Sequence, residues 1–513
     1  MKPSSLVLDL LLATVLGAVH SLTFVHTQAW WLQMLVVAWL AWRAASLSPR
    51  RAAGLGWVFG TAWLAAGTWW LFISLHRYGG LPAPLAVLAI ALLSGLLSLY
   101  LALALAAFAR WRDADPRGCG GRDALLFAAL WLLTELARGV IFTGFPWIAS
   151  GYAHVDGPLA ALAPWIGVYG IGFVATALAV WPVLSRQRAL RSRAVSFGAL
   201  VLVLGGAALV GPGQLTQPGS TLKVTLLQGN VAQDEKFALE HMPQALAWTR
   251  EQLLAARGDL VVAPETVIPL LPSQLDPVYW QTLIDHFRQG AQAALIGVPL
   301  GDEDVGYTNS AVGLSAATAP LPGGVYRYDK YHLVPFGEFI PRGFRWFTQL
   351  MNIPLGDFNR GPVGAPSFGF RGERIGANIC YEDLFGEELA ARFEDPAAAP
   401  TIFANISNIG WFGDTIAIDQ HLQISRMRAL EFQRPMLRAT NTGATVVIDH
   451  MGRVTHSLPR YTQAVLEGSV QGRTGLTPFA WWASRFGLWP LALGAALLVA
   501  ALAPGRRRGR DRC

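Results

Sequence analysis

Eight runs of mostly apolar residues, each long enough to cross a bilayer, decide what this 513-residue chain can fold into. A transmembrane helix needs about 20 such residues. Seven runs lie near 5–22, 27–45, 54–75, 83–109, 123–142, 158–184 and 195–212, and an eighth near 480–503. Only 14% of the residues are charged, against about 25% in soluble domains. Lys2 before the first run suggests a signal peptide, but no clear small-x-small cleavage site follows, so the run is expected to be retained. Between the seventh and eighth runs the composition is that of an ordinary globular domain, long enough for its own core. The expected organisation is a membrane domain over 1–212 with seven transmembrane helices, a folded domain over 220–473, and a C-terminal transmembrane helix with a basic tail over 479–513.

Positive charge orients the spans, because Lys and Arg concentrate in cytoplasmic loops. Lys2 precedes the first run. Arg43, Arg50 and Arg51 follow the second; Arg110, Arg112, Arg117 and Arg122 follow the fourth; Arg186, Arg188, Arg191 and Arg193 follow the sixth; Arg506, Arg507, Arg508, Arg510 and Arg512 follow the eighth. Every second loop is basic, with Arg77 and Arg138 the main exceptions. Both termini are therefore expected in the cytoplasm and the folded domain outside it. The net charge of +7 is explained by topology. No basic face is interleaved with aromatics, so no nucleic-acid partner is expected.

Three cysteines, Cys119, Cys380 and Cys513, are too widely spaced for a disulfide framework or a metal site. Cys380 alone falls in the external domain. There, strands read at 222–227, 259–263, 294–298, 310–314, 374–379, 401–405 and 445–449 alternate with helical patterns at 241–257, 277–289 and 421–432. This is an α/β pattern around a central sheet, whose functional side chains tend to sit where strands end.

Glu265, Lys330 and Cys380 fall at such ends. Each has a plainer account alone: a solvated loop carboxylate, a surface cation, a small core hydrophobe. Only four of the 40 Lys and Arg residues are lysine (Lys2, Lys223, Lys236 and Lys330). A compact ammonium at 330 is therefore not an idle choice. Cys380 ends a strand just before Glu382 and Asp383, a place that suits a nucleophile on a turn. A carboxylate can take a thiol proton, an ammonium can stabilise an oxyanion, and a thiol can carry an acyl group as a thioester.

At these residues the sequence resembles the nitrilase superfamily, with its Glu-Lys-Cys set on a four-layer αββα sandwich. It is similar in particular to the apolipoprotein N-acyltransferase family. The likeness is carried by Pro264-Glu265-Thr266, by the stretch from Lys330-Tyr331-His332 to Pro335-Phe336-Gly337-Glu338-Phe339, and by Ile379-Cys380-Tyr381-Glu382. Trp411-Phe412-Gly413, Gln420-His421 and the segment from Arg426 to Glu431 add to it, as do Gly144-Phe145-Pro146-Trp147 and Asp156-Gly157-Pro158. One departure is Ser407-Asn408-Ile409-Gly410, where the family usually has Asn-Asp or similar. The resemblance implies a fold of about eight transmembrane helices plus an extracytoplasmic αββα domain, in the inner membrane of a bacterium. It implies that Glu265 is the general base, Lys330 the oxyanion stabiliser and Cys380 the nucleophile. Glu338, Glu382 and Tyr381 would support them. It implies no cofactor and no metal. The partners implied are the lipid bilayer, a phospholipid acyl donor, by family phosphatidylethanolamine, and a diacylglyceryl-modified apolipoprotein.

Trp147, Phe336 and Trp411 are candidates for contact with substrate or lipid, as are Tyr152, Phe339, Trp346 and Phe347, since aromatics gather at membrane interfaces. Glu135 and Arg138, three residues apart in the fifth run, read as a neutralising pair. His76 and Arg77 are expected at the outer interface. No P-loop or dinucleotide motif is present. Two rival readings are a tethered amidase of the same superfamily and a binding module with a decayed site. About eight spans are more than a tether needs, and an intact triad argues against decay.

Overall fold

The computed structural model describes residues 3–113, 120–185, 190–236, 238–341, 343 and 357–503. Lys2, Arg117, Cys119, Arg186, Arg188, Trp346, Phe347, the tail arginines and Cys513 lie outside the described residues. The chain forms two compact units. One combines Met1–Leu71, Ala83–Gly213 and Leu488–Cys513; the other combines Phe72–Pro82 and Gln214–Gly487.

The first unit is helical: α1 (Pro3–Leu22), α2 (Trp30–Ala44), α3 (Pro49–Gly67), α4 (Ala83–Trp111), α5 (Gly120–Val140), α6 (Ala163–Leu184), α7 (Leu190–Val210) and a last helix, Trp489–Leu502. Among the described residues, four stretches are long and apolar enough to cross a membrane: Ala83–Trp111, Gly120–Thr143, Pro158–Leu184 and Leu190–Val210. A fifth is added if Pro478–Phe486 and Trp489–Leu502 count as one broken span. The remaining expected spans differ for local reasons. α2 has 15 residues. α3 opens on Pro49, Arg50 and Arg51 and stops at Gly67, well short of residue 75. The run near 480–503 breaks at Gly487, where φ is 53°.

Close helix contacts use small residues, since lipid supplies no hydrophobic force between helices. A side chain at Gly17 would strike the Phe59 carbonyl, and one at Gly60 would meet Ser98. Asp9 pairs with Arg43. Glu135 and Arg138 lie 3.8 Å apart, yet their shorter bonds go elsewhere. Glu135 accepts from the Ser150 N–H at 2.6 Å and its hydroxyl at 2.8 Å, and Arg138 donates to the Trp147 carbonyl at 2.6 Å. The pair therefore clamps the chain between 147 and 150 rather than only neutralising itself.

The second unit holds two six-stranded sheets. The first has the order β12-β1-β2-β3-β4-β5, with β1 (Gln217–Gln228), β2 (Leu260–Val262), β3 (Ala293–Asp302), β4 (Gly306–Leu314), β5 (Tyr326–Asp329) and β12 (Ala464–Thr474). The second has the order β11-β10-β9-β8-β7-β6, with β6 (Phe368–Phe370), β7 (Glu373–Ile379), β8 (Ile402–Ser407), β9 (Met436–Thr440), β10 (Val446–Ile448) and β11 (Val454–Ser457). Side chains alternate across a strand, and that alternation builds the layers. Leu260, Val262 and Leu295 from the first sheet share one buried cluster with Ile375, Ala377, Ile379, Ala404 and Leu437 from the second. Their neighbours Val261, Ala263, Ala294 and Ile296 turn the other way, into a cluster with Leu253 of α8 (Met242–Ala255) and Leu283 and Phe287 of α9 (Pro277–Gln289). After the short α10 (Gly386–Ala390), α11 (Ile416–Phe432) covers the second sheet, its Phe432 ring 5.4 Å from that of Phe403. α11 begins five residues before the expected start, capped by Thr415. The layers are helix, sheet, sheet, helix, as the αββα expectation requires.

Candidate active site

Parallel pairing of β2 with β1 and β3, and of β7 with β8, aligns strand ends, and the proposed site residues follow them. Glu265 comes after β2. Gly297 on β3 makes room for it: a side chain there would strike the Pro264 carbonyl and crowd the Glu265 Cα. Lys330 comes directly after β5, its N–H bonded to the Asn309 carbonyl at 2.9 Å. Cys380 comes directly after β7 with φ at 52°, a left-handed conformation that costs a non-glycine residue about 1–2 kcal/mol.

The structure brings the expected residues together. Lys330 Nζ lies 2.8 Å from Glu338 Oε1 and 3.4 Å from Glu265 Oε1. Asn309 Nδ2 donates to both carboxylates at 2.7 Å, so one amide spaces them. Glu338 also accepts the Val334 N–H at 2.8 Å, and Glu265 Oε2 accepts the Asn408 N–H at 2.8 Å. The loop that departs from the family pattern thus holds the carboxylate by its backbone, which any residue at 408 except proline can provide. Burial opposes the Lys330 charge, but Glu338 and Glu265 outweigh it and hold its pKa above the usual lysine range. Burial, and then the Glu265 carboxylate, push the Cys380 thiol up to about 12, with Lys330 and Ser407 pulling the other way.

Glu382 ties two segments. Its Oε1 accepts from the N–H of Tyr331 at 2.7 Å and of His332 at 3.2 Å, in the Lys330 loop. Its Oε2 accepts the Tyr328 hydroxyl and the Ile379 N–H, each at 2.7 Å. Burial raises its pKa, opposed by Lys330, the Tyr328 hydroxyl and the N–H groups of Ile379 and Tyr331. Tyr381 is buried, its ring 5.3 Å from Phe385 and 5.7 Å from His332.

The aromatic candidates scatter. Trp147 is 2% exposed in the first unit, its ring 4.9 Å from Trp70. Trp411 meets Tyr78 edge-on at 5.7 Å. Phe336 sits at φ 65° with its N–H on the Phe339 carbonyl at 2.8 Å.

Two contributors were not singled out from sequence. One is Asn309. The other is Lys236, buried, whose Nζ donates to the Glu265 carbonyl at 3.0 Å and the Thr266 hydroxyl at 2.6 Å. Burial lowers its pKa to about 8, against the pull of Glu265 and Cys380. Its rarity in this lysine-poor chain was the available signal, and the same signal drew attention to Lys330.

A double sheet of this order, with a carboxylate, an ammonium and a thiol at its strand ends, defines a domain of the carbon-nitrogen hydrolase class. Residues 207–479 match the family model described as carbon-nitrogen hydrolase. Residues 16–181 match the model for the apolipoprotein N-acyltransferase N-terminal domain. Proteins named apolipoprotein N-acyltransferase from Verminephrobacter eiseniae, Ralstonia nicotianae and Bordetella bronchiseptica are 55%, 47% and 44% identical to this chain. The alignments cover 90%, 97% and 96% of it, and 89%, 94% and 96% of those proteins. The chain belongs to the apolipoprotein N-acyltransferase family.

Proposed function

We propose that this enzyme transfers a fatty acyl group from a phospholipid to the N-terminal amine of a diacylglyceryl-modified lipoprotein, through a thioester on Cys380. The supporting observation is the Lys330 ammonium, buried between Glu338 and Glu265, with its charge acting on the Cys380 thiol.

At rest the thiol keeps its proton. Attack on the lipid ester carbonyl requires Glu265 to take that proton as the C–S bond forms. The carbonyl oxygen becomes an oxyanion, which Lys330 stabilises. Collapse breaks the C–O bond, Glu265 returns the proton to the leaving alkoxide, and a lysophospholipid departs. In the second half the lipoprotein amine attacks the thioester, Glu265 takes the amine proton, the C–S bond breaks and the thiol is restored. The donor is phosphatidylethanolamine in this reading. The enzyme spans the bacterial inner membrane about eight times, with both termini cytoplasmic and the domain over 220–473 in the periplasm. Phe336 and Trp411 would contact the acyl chain or the acceptor, whereas Trp147, buried against Trp70, is withdrawn from lipid contact.

The test is intact-mass spectrometry of the purified enzyme after incubation with phosphatidylethanolamine and no acceptor. One acyl adduct is expected, labile to neutral hydroxylamine and absent from Cys380→Ala. A diacylglyceryl peptide should discharge it onto the peptide amine. No adduct would overturn the proposal, and discharge by water alone would make the protein a lipid hydrolase.

A further inference from the structure

Gln420-His421 stands out in the sequence without a role in the mechanism above. His421, on α11, is 1% exposed. Its Nε2 lies 3.1 Å from the carbonyl oxygen of Cys380 and 2.9 Å from Asp383 Oδ1. Its Nδ1 lies 2.8 Å from an Arg438 guanidinium nitrogen. Guanidinium can only donate, so Nδ1 accepts and the single ring proton sits on Nε2. That proton is shared between the Cys380 carbonyl and Asp383. With Nδ1 accepting, the ring is neutral; burial, and then the Arg438 charge, also lower its pKa, with Asp383 opposing. The other members of the cluster bond to one another, although the buried Arg438 Nε has no hydrogen-bond partner among the described residues. Arg438 donates to Ser425 at 2.7 Å and to Asn405 Oδ1 at 3.2 Å, and lies 3.5 Å from Asp383; Ser425 donates to Asp383 at 2.5 Å. Asn405 Nδ2 also donates to the Cys380 carbonyl, at 3.1 Å.

The nucleophile occupies a left-handed conformation, which persists only where the surroundings over-determine it. On the N-terminal side, Glu382 fixes the Asn378–Ile379 peptide, one residue back from Cys380, through the Ile379 N–H at 2.7 Å. The peptide after it is fixed by His421 and Asn405 through the Cys380 carbonyl. With planar peptides, these anchors on either side restrain the backbone torsions of Ile379 and Cys380, and so the direction in which the Cys380 Cα–Cβ bond projects.

We propose that His421, locked as a neutral donor by Arg438 and Asp383, is a positioning residue that holds the strained backbone of Cys380 so that its thiol faces Glu265 and Lys330. The inference rests on Cys380 being the nucleophile. Removing the His421 donor should slow thioester formation while leaving lipid binding intact, because His421 touches the nucleophile's backbone and not the substrate.

The experiment measures thioester formation on the full-length enzyme in detergent micelles containing phosphatidylethanolamine, across lipid concentrations. His421→Leu is expected to lower the acylation rate constant about 100-fold, the scale of a small misplacement of a reacting group, with KM for the lipid unchanged. His421→Gln keeps a donor and an acceptor at the end of the side chain and is expected to recover most of the rate. Acylation of His421→Leu at the wild-type rate, or a loss confined to KM, would overturn the inference. If His421→Leu does not fold, Asn405→Ser decides: a fall in rate constant supports the inference and a wild-type rate overturns it. Cys380→Ala is run in parallel. Acylation that survives in it would overturn the nucleophile assignment and this inference together, whereas a normal Cys380 adduct with an indifferent His421 overturns this inference alone.

Discussion

The surroundings of Cys380 hold its thiol in the protonated form, and Glu265 is part of the reason. Burial comes first and the Glu265 carboxylate second in pushing the thiol up to about 12. The sign of a substitution follows. Glu265→Gln removes a negative charge that disfavours the thiolate and leaves the Lys330 ammonium that favours it, so the thiol pKa falls. Alkylation of Cys380 by iodoacetamide should therefore set in at lower pH in Glu265→Gln than in the wild type. Acyl transfer should meanwhile be lost by at least about 100-fold if Glu265 is the base proposed above. The two readouts move in opposite directions, and alkylation profiles that superimpose would show that the carboxylate does not face the thiol. Glu265 and Cys380 were legible in the sequence because each follows an apolar strand, and Lys330 because a rare lysine there opens the stretch to Phe339 that carries the family resemblance. Asn309 and Lys236 were not. An asparagine inside a strand and a lysine in a loop carry no local pattern, and their partners lie 44 and 29 residues away in sequence.

Elements matter here mainly through their ends. The strands that were legible, among them β1, β2, β3, β4, β7 and β8, are apolar runs or border one. β5 reads Tyr-Arg-Tyr-Asp, β6 has three residues and β11 is polar and mostly exposed, so pairing rather than composition makes them strands. Glu382 joins the end of β7 to the loop that follows β5. It accepts four donors, and no conformer of a glutamine can do so, because its NH2 must face two of them. Glu382→Gln should lower stability by about 1–3 kcal/mol and slow acylation about 10- to 100-fold by letting the Lys330 loop drift. Unfolding curves and single-turnover acylation would measure the two effects. Tyr328→Phe removes one donor and should be much milder. Equal effects for the two variants would mean that Glu382 is only one buried hydrogen-bonding group among others.

At the scale of the whole molecule, hydropathy divides the chain into apolar ends around a folded middle. It did not show that the short stretch Phe72–Pro82, set between α3 and α4, belongs with the sheets. Hydropathy assigns such a stretch to the loop between two spans; only tertiary contacts reveal its partners. Those contacts are specific. Tyr78 meets Trp411 edge-on at 5.7 Å, Ile73 lies against Gly413, and Arg77 pairs with Asp234 at 3.3 Å. The Arg77–Asp234 pair is more than half exposed and should contribute little. The aromatic pair is the contact to test, since edge-to-face rings add about 0.5–1.5 kcal/mol beyond their buried area. It also matters for chemistry. Trp411 lies three residues after Asn408, whose N–H holds Glu265, and Asp234 lies two before Lys236, which holds the Glu265 carbonyl. A double-mutant cycle on Tyr78→Ala and Trp411→Ala, read by chemical unfolding in detergent, should give a coupling energy in that range. Each single variant should also slow acylation, because both neighbours of Glu265 are attached to the disturbed surface. A coupling near zero, with acylation unchanged in Tyr78→Ala, would mean that the stretch acts as a plain connection between α3 and α4 and that the catalytic unit holds Glu265 without it.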